Sequence, residues 1–212
     1  MYLSQIQIDI RHPGIRRALR NCNELHRDLM SAFPHTQTDD AARKTENMLF
    51  RLIERRDGFY LLMSSESVPD AERLFRRGYI LRSDAVKDVS VLETVFRQGM
   101  LLRFEILVSP SKKTGGEQKN SRRIFLKEAE ERAQWMERQG KKYGFHIRVL
   151  EENAVRVSLD GIKNEMRIHY DAVNMTGVLE ITDARLFWQA YRQGIGPGKA
   201  YGLGMLTVAP VR

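Results

Sequence analysis

Leu102-Arg103-Phe104-Glu105-Ile106-Leu107-Val108 places an apolar side chain at every second position, with Arg103 and Glu105 between them. That period of two marks a half-buried strand, and the elements on either side of it decide the fold. Downstream, Leu126, Ala129, Ala133 and Met136 recur at three- and four-residue steps, which predicts an amphipathic helix. Alternation returns at Phe145, Ile147 and Val149, at Val155, Val157 and Leu159, and at Met166, Ile168 and Tyr170, and Val173–Ile181 closes the strands. Asp183 is placed to cap a last helix that turns Leu186, Phe187, Ala190 and Tyr191 to one side, ahead of a final apolar segment, Met205–Ala209.

The same order precedes the quoted strand. Ile6, Ile8 and Ile10 alternate with Gln5, Gln7 and Asp9, which reads as a strand rather than a signal peptide. A helical pattern ends near Phe33. Met48–Ile53 and Phe59–Met63 flank a turn at Arg55-Arg56-Asp57-Gly58, a short helix opens after Pro69 and runs through Leu74, and an extended stretch lies within Tyr79–Val95. Each half thus reads β-α-β-β-α-β. The prediction is an α+β chain of two tandem ferredoxin-like (RRM-like) domains, residues 1–98 and 99–212, with the boundary near Gly99. The halves share the order of their elements and no visible sequence similarity.

The 212 residues carry 35 Lys and Arg against 27 Asp and Glu, a formal charge of +8. A polyanion is the partner such a surface attracts. The hydrophobic share of 42% suits a packed core and not a disordered chain. Arg or Lys interrupts every stretch long enough to span a membrane. The single cysteine, Cys22, can form neither an internal disulfide nor a Cys-rich zinc site. A soluble, cytoplasmic, basic protein is expected.

The charge is concentrated. Lys112–Lys142 holds ten basic residues and five acids, and its first part, Lys112–Arg123, contains Gly115 and Gly116 and reads as a flexible basic loop. Arg11, Arg16, Arg17, Arg20 and Arg27 stand against Glu24 in a second cluster. Aromatics are not interleaved with either cluster, so the pattern favours the backbone of a duplex or hairpin over a stacked single strand.

Gly194-Ile195-Gly196-Pro197-Gly198-Lys199-Ala200-Tyr201-Gly202-Leu203-Gly204 has five glycines in eleven residues. It is not a Walker A loop: Gln193 stands where the first glycine belongs, and Ala200 where a magnesium-binding Ser or Thr belongs. Nor is it a dinucleotide fingerprint, since it follows a helix and precedes a strand. It is either a tight helix-to-strand connection or, with Lys199 in it, a backbone cradle for RNA.

This loop between a helix and a C-terminal strand resembles that of the repeat-associated RNA-binding proteins of CRISPR systems, and most closely the CasE family. Met1-Tyr2-Leu3-Ser4 resembles that family's opening, as do Leu25-His26 followed by Leu29, Phe33 and Pro34. Ser109-Pro110-Ser111-Lys112 ahead of Lys127-Glu128-Ala129-Glu130 and Trp135, and the ending Leu206-Thr207-Val208-Ala209-Pro210, fit as well. The resemblance spans the chain and is weakest over about Ser64–Arg97. It implies a metal-independent endoribonuclease that cuts the repeat hairpin of precursor CRISPR RNA. The cut would leave a 5′-hydroxyl and a 2′,3′-cyclic or 3′ phosphate, and the enzyme would stay with the mature CRISPR RNA beside other Cascade subunits. It implies no membrane and no small-molecule cofactor. The alternative is a non-catalytic RNA-binding scaffold of the same superfamily.

Attack by a 2′-hydroxyl on its own phosphate needs a base, an acid and fixed positive charge. No His, Asp, Glu or Cys cluster has metal-ligand spacing. Of five histidines, His12, His35, His146 and His169 fall beside loop signals or on an exposed sheet face. His26 has two readings. In one helix from Ile15 to Phe33 it falls within an apolar stripe and is a core residue. If Asn21 or Asn23 caps a second helix, it lies near that helix's start. The resemblance implies that His26 is catalytic. It also shows a departure: the family often carries a tyrosine near position 23, and this chain has Asn23. Lys112 and Lys113 are the candidates for the scissile phosphate. Lys119, Arg122, Arg123, Arg156, Gly196, Gly198, Lys199, Gly202 and Gly204 are the candidates for wider RNA contact.

Overall fold

The computed structural model describes residues 1–36, 45–114, 122–153, 157–163 and 165–211, with Arg122 described by its backbone alone. In the first half the strands are β1 (Tyr2–Ile8), β2 (Leu49–Arg55), β3 (Gly58–Ser65), β4 (Ile80–Ser83) and the short β5 (Lys87–Asp88). They form an antiparallel sheet in the order β2-β3-β1-β4, with β5 also on β1. Central strand β1 alternates as its sequence does, with Ser4, Ile6 and Ile8 inward. Helices α1 (Pro13–Arg20) and α2 (Cys22–Met30) pack there, so Ile6, Ile15, Leu29, Phe33, Leu61 and Met63 form one core. The short helix α3 (Ala71–Phe75) takes Asp70 as its cap, with Asp70 Oδ1 accepting from Arg73 N at 3.3 Å. Pro69 therefore stands one place outside the cap.

The second half follows after a turn, α4 (Leu92–Val95). Its strands β6 (Leu101–Val108), β9 (Phe145–Glu152), β11 (Met166–Ile181) and β12 (Thr207–Pro210) lie in the order β9-β11-β6-β12, antiparallel throughout. Both sheets thus share one strand order, second-third-first-fourth, as expected of tandem ferredoxin-like units. Helices α5 (Ala129–Tyr143) and α6 (Ala184–Gln193) contribute Trp135, Met136, Phe187, Trp188 and Ala190 to the core with Ile106, Met175 and Leu179. Asp183 Oδ1 accepts from Leu186 N at 2.9 Å, the predicted cap. No helix among the described residues is long and apolar enough to cross a membrane.

Three expectations change. Met166–Tyr170 and Val173–Ile181 are one sixteen-residue strand: its second part lies within the sheet, and its first pairs with β10 (Val157–Lys163) as a projecting hairpin. The basic segment read as a loop begins and ends in strands, β7 (Ser111–Thr114) and β8 (Arg122–Phe125), which pair antiparallel. On α5 the buried face is Arg132, Trp135, Met136 and Gly140 rather than the Ala133 side. Arg132 tolerates burial because Glu152 Oε2 accepts from its Nε at 2.7 Å and Leu126 O from its Nη1 at 3.1 Å. It is a core ion pair and not part of a phosphate-gripping face.

A buried polar contact joins the two sheets. Arg51 on β2 is 7% exposed and donates to Glu105 Oε1 on β6 at 2.6 Å and to Thr207 Oγ1 on β12 at 3.2 Å, while Asn174 Nδ2 also donates to Glu105 Oε1 at 3.0 Å. Burial acts to raise the Glu105 pKa, but the Arg51 charge and the hydrogen bonds outweigh it and hold the carboxylate below its usual range. The pair is unequal, because Glu105 is half exposed and Arg51 is not. Glu105→Ala, which leaves a buried guanidinium without its counter-charge, is expected to cost about 2–3 kcal/mol, below the usual range for a fully buried pair. Arg51→Ala is expected to cost less, since water can reach the carboxylate it leaves. Denaturant unfolding of the two variants checks the order.

Candidate active site and nucleic-acid interface

The helical stretch before Phe33 breaks at Asn21, whose extended backbone (φ −132°, ψ 93°) ends α1 and caps α2. Asn21 Oδ1 accepts from Asn23 N at 3.3 Å, satisfying one of the amides that a helix start leaves open. Of the two readings of His26, the single long helix is therefore excluded. With Asn21 as the cap, His26 is the fifth residue of α2, beyond the first turn where the macrodipole acts most strongly. It is half-buried beside the Cys22, Leu25 and Leu29 stripe.

The face of α2 that carries His26 meets the second half of the chain. Asn21 Oδ1 also accepts from Ile162 N at 3.2 Å, and Asn23 Nδ2 donates to Ile162 O at 3.1 Å, so two asparagines clasp both main-chain groups of one β10 residue. A β-carbon on Gly161 would stand 2.8 Å from Asn21 Oδ1 and 2.9 Å from Cys22 Sγ, so the approach requires glycine there. On the other side of His26 lies Tyr201, from the 3-10 turn Lys199–Tyr201 in the glycine-rich loop. Its ring meets the imidazole edge to face, centroids 6.4 Å apart, and Tyr170 of β11 lies 5.9 Å beyond. Burial, chiefly, raises the Tyr201 phenol pKa, so it keeps its proton at neutral pH.

The glycines give this loop its path. Gly194, Gly196, Gly198, Gly202 and Gly204 all have positive φ. A β-carbon at Gly202 would meet Phe50 Cε2 at 3.0 Å, and one at Gly204 would meet Ile195 O at 2.4 Å. The Gly204 amide donates to Leu107 O at 2.7 Å. Gly202 and Gly204 are buried, whereas Gly196, Gly198 and Lys199 are partly open to solvent.

Tyr170, whose ring neighbours that of Tyr201, lines a cleft of about 600 Å³ between the β7–β8 hairpin and β11. Arg123, Lys127, Arg167, His169 and Asp171 line it with Ser109 and Ser111. Lys113 pairs across the hairpin with Arg123. Lys112 is exposed and donates to Glu131 Oε1 on α5 at 3.1 Å. Lys119 and Arg156 lie outside the described residues, as does the Arg122 side chain. In the second basic cluster Arg17 pairs with Glu24 at 3.5 Å and Arg11 with Asp9 at 3.3 Å.

Sequence reasoning missed Tyr170, Tyr201 and Arg167, and placed His169 away from the site. Tyr170 was read as one more alternating position, and nothing in a linear pattern shows that it meets a tyrosine 31 residues later. His169 Nδ1 lies 3.0 Å from Asp160 Oδ1, and its Nε2 lies 3.5 Å from Asp171 Oδ1. The hydrogen bond to Asp160 is the main cause that raises its pKa. Its stabilising contribution is complete below the ordinary histidine value and fades as pH rises through the raised one. An NMR titration is expected to place His169 above an unperturbed histidine, and Asp160→Asn to bring it down.

Comparisons with known proteins bear on this geometry. The CRISPR associated protein family model matches residues 1–210. The chain is 29% identical to the CRISPR-associated endoribonuclease Cse3 of Thermus thermophilus, over 99% of this chain and all of that one. It is 30% identical to the CRISPR system Cascade subunit CasE of Escherichia coli, over the whole of both chains. The structure of Thermus thermophilus Cse3 bound to an RNA representing a pre-cleavage complex superposes with a TM-score of 0.82, at 26% identity over 99% of this chain and 98% of that one.

Proposed function

The chain belongs to the CasE family of CRISPR-associated proteins, and we propose that it is an endoribonuclease that cuts the repeat hairpin of precursor CRISPR RNA and holds the product within Cascade. The observation that supports this reading is the setting of His26: a half-buried imidazole against the Tyr201 ring, on a helix that two asparagines tie to β10, with Tyr170 beside Tyr201 lining a basic cleft. An imidazole titrates near neutrality and can take the proton of a ribose 2′-hydroxyl. The 2′-oxygen then attacks the adjacent phosphorus, and the products carry a 2′,3′-cyclic phosphate and a 5′-hydroxyl. Proton transfer and fixed charge suffice for this reaction, so no metal is required. The reaction would take place in the cytoplasm.

Arg123, Lys127 and Arg167 line the cleft in which a stem would lie, and Lys113 shares the hairpin face of Arg123. Lys112 would have to leave Glu131 before it could meet a phosphate, which makes Lys113 the stronger candidate of the two. Lys119, Arg122 and Arg156 remain candidates from the sequence. The partly open Gly196, Gly198 and Lys199 are better placed for RNA than Gly202 and Gly204, which shape the loop from within. Five to eight phosphate contacts give a slope of log K against log salt of about −4 to −7.

The test is cleavage of a labelled repeat hairpin in EDTA beside a copy with a 2′-deoxy residue at the cut. The ribose form should be cut and the deoxy form left intact. His26→Ala should slow cleavage by about 100- to 10,000-fold while hairpin affinity stays within about twofold. Binding without cleavage by the wild-type protein would leave only an RNA scaffold. Equal affinity for an unrelated stem-loop would remove the repeat specificity.

A further inference from the structure

We infer that Tyr201 is a second catalytic residue, the acid that protonates the leaving 5′-oxygen while His26 takes the 2′-hydroxyl proton. The inference rests on the endoribonuclease reading above. That reaction needs a proton donor as well as a base, and the surroundings of His26 narrow the choice. Asn23 carries no acidic proton, and its amide is committed to Ile162 O. Cys22 is 4% exposed, with its sulfur packed against Gly161 of β10. Asp160 is held in its ionised form by the hydrogen bond from His169, so it has no proton to give near neutral pH. Among the described residues the ring packed edge to face on His26 is that of Tyr201, which is partly open to solvent.

The setting of Tyr201 is rigid. Its amide donates to Gly198 O at 2.8 Å, which closes the 3-10 turn between two left-handed glycines, Gly198 and Gly202. Gly202 packs on Phe50 of the first sheet, and Tyr170 supports the Tyr201 ring from the cleft side. Tyr170 lines the basic cleft and its ring neighbours that of Tyr201, which in turn meets His26, so the three rings lie in sequence from the cleft. The raised pKa keeps the phenol protonated before each turnover.

The step balances without any other reactant. The 2′-oxygen bonds to phosphorus as its proton passes to the imidazole. The bond from phosphorus to the 5′-oxygen breaks, and that oxygen takes the phenolic proton. The imidazolium then returns its proton through solvent to the phenolate, and both groups are restored.

The experiment is single-turnover cleavage of the repeat hairpin by the full chain with Tyr201→Phe and Tyr201→Leu. Tyr201→Phe keeps the ring and loses the hydroxyl, so its melting temperature and its affinity for the uncleavable 2′-deoxy hairpin should match the wild type. Its cleavage rate should fall by about 100-fold. A substrate with sulfur in place of the leaving 5′-oxygen needs no acid, and on it Tyr201→Phe should approach the wild-type rate. Tyr201→Leu, which loses the ring as well, should remain slower than Tyr201→Phe on that substrate because His26 loses its neighbour.

Full activity of Tyr201→Phe, beside an inert His26→Ala, would overturn the role of Tyr201 and leave the endoribonuclease reading intact. An equal defect on the oxygen and sulfur substrates would overturn it too, showing that the hydroxyl only positions. A wild-type protein that leaves the RNA whole would overturn both.

Discussion

One backbone break, at Asn21, fixes the setting of the candidate catalytic histidine. Without it, α1 and α2 would be one helix with His26 in a continuous apolar stripe, and the imidazole would belong to a single core. The extended conformation of Asn21 redirects the chain, and its side-chain oxygen accepts from Asn23 N within α2 and from Ile162 N in the other half. A cap is ordinarily a local device that contributes about 1 kcal/mol to one helix. Here the same oxygen is also a tertiary contact, so the end of α2 and the position of β10 are set together. Asn23 completes the clasp from the carbonyl side of Ile162. Ile162 is itself 60% exposed, so this contact is made by main-chain groups and does not depend on burying its side chain.

The two apolar cores are separate clusters, and beside the packing of Phe50 on the glycine-rich loop, polar contacts of this kind fix how the halves meet. Arg51 with Glu105, Arg192 with Glu66 at 2.8 Å, and the asparagine clasp each require one geometry. Apolar contact between the halves would tolerate sliding, because dispersion and desolvation have little directionality. Paired charges with several hydrogen bonds do not tolerate it: a shift of an ångström leaves a buried guanidinium without its acceptors. The contribution of such contacts to net stability is modest, but their contribution to register is large. A site made from side chains of both halves needs register more than it needs added stability.

Most of the fold was legible in the sequence because most of its strands have one buried and one open face. The alternation of Leu102, Phe104, Ile106 and Val108 is that of β6, and each of the four is buried. Asp183 was legible as a cap because capping is local chemistry. Long-range contacts were not legible. Arg132 reads as a surface cation until Glu152, twenty residues away, is found beside it. The alternating positions of β11 do not distinguish its part within the sheet from its part in the projecting hairpin, since a strand keeps the period of two in both. His26 was identified by resemblance. Spacing alone leaves it ambiguous, and the break at Asn21 excludes the single-helix reading. Tyr201 stands among the glycines of its loop, and no local pattern shows that its ring meets an imidazole 175 residues earlier.

The glycines and the tyrosine belong to one arrangement. Positive φ at five positions lets the loop turn back on itself so closely that Gly204 O accepts from Ile195 N at 2.9 Å, and buried Gly202 and Gly204 press the turn against Phe50 and β6. A loop of ordinary residues could not follow that path without strain. Catalytic groups must be held to within a fraction of an ångström, and a side chain on a mobile loop does not meet that demand. The glycine-rich segment thus has the sequence of a flexible linker and the hydrogen bonding of a fixed turn. It presents Tyr201 to a histidine from the other half of the chain, and the asparagine clasp keeps that histidine in place. Imidazole and neighbouring ring come from different halves of the chain, so the geometry of the candidate site is the geometry of the junction.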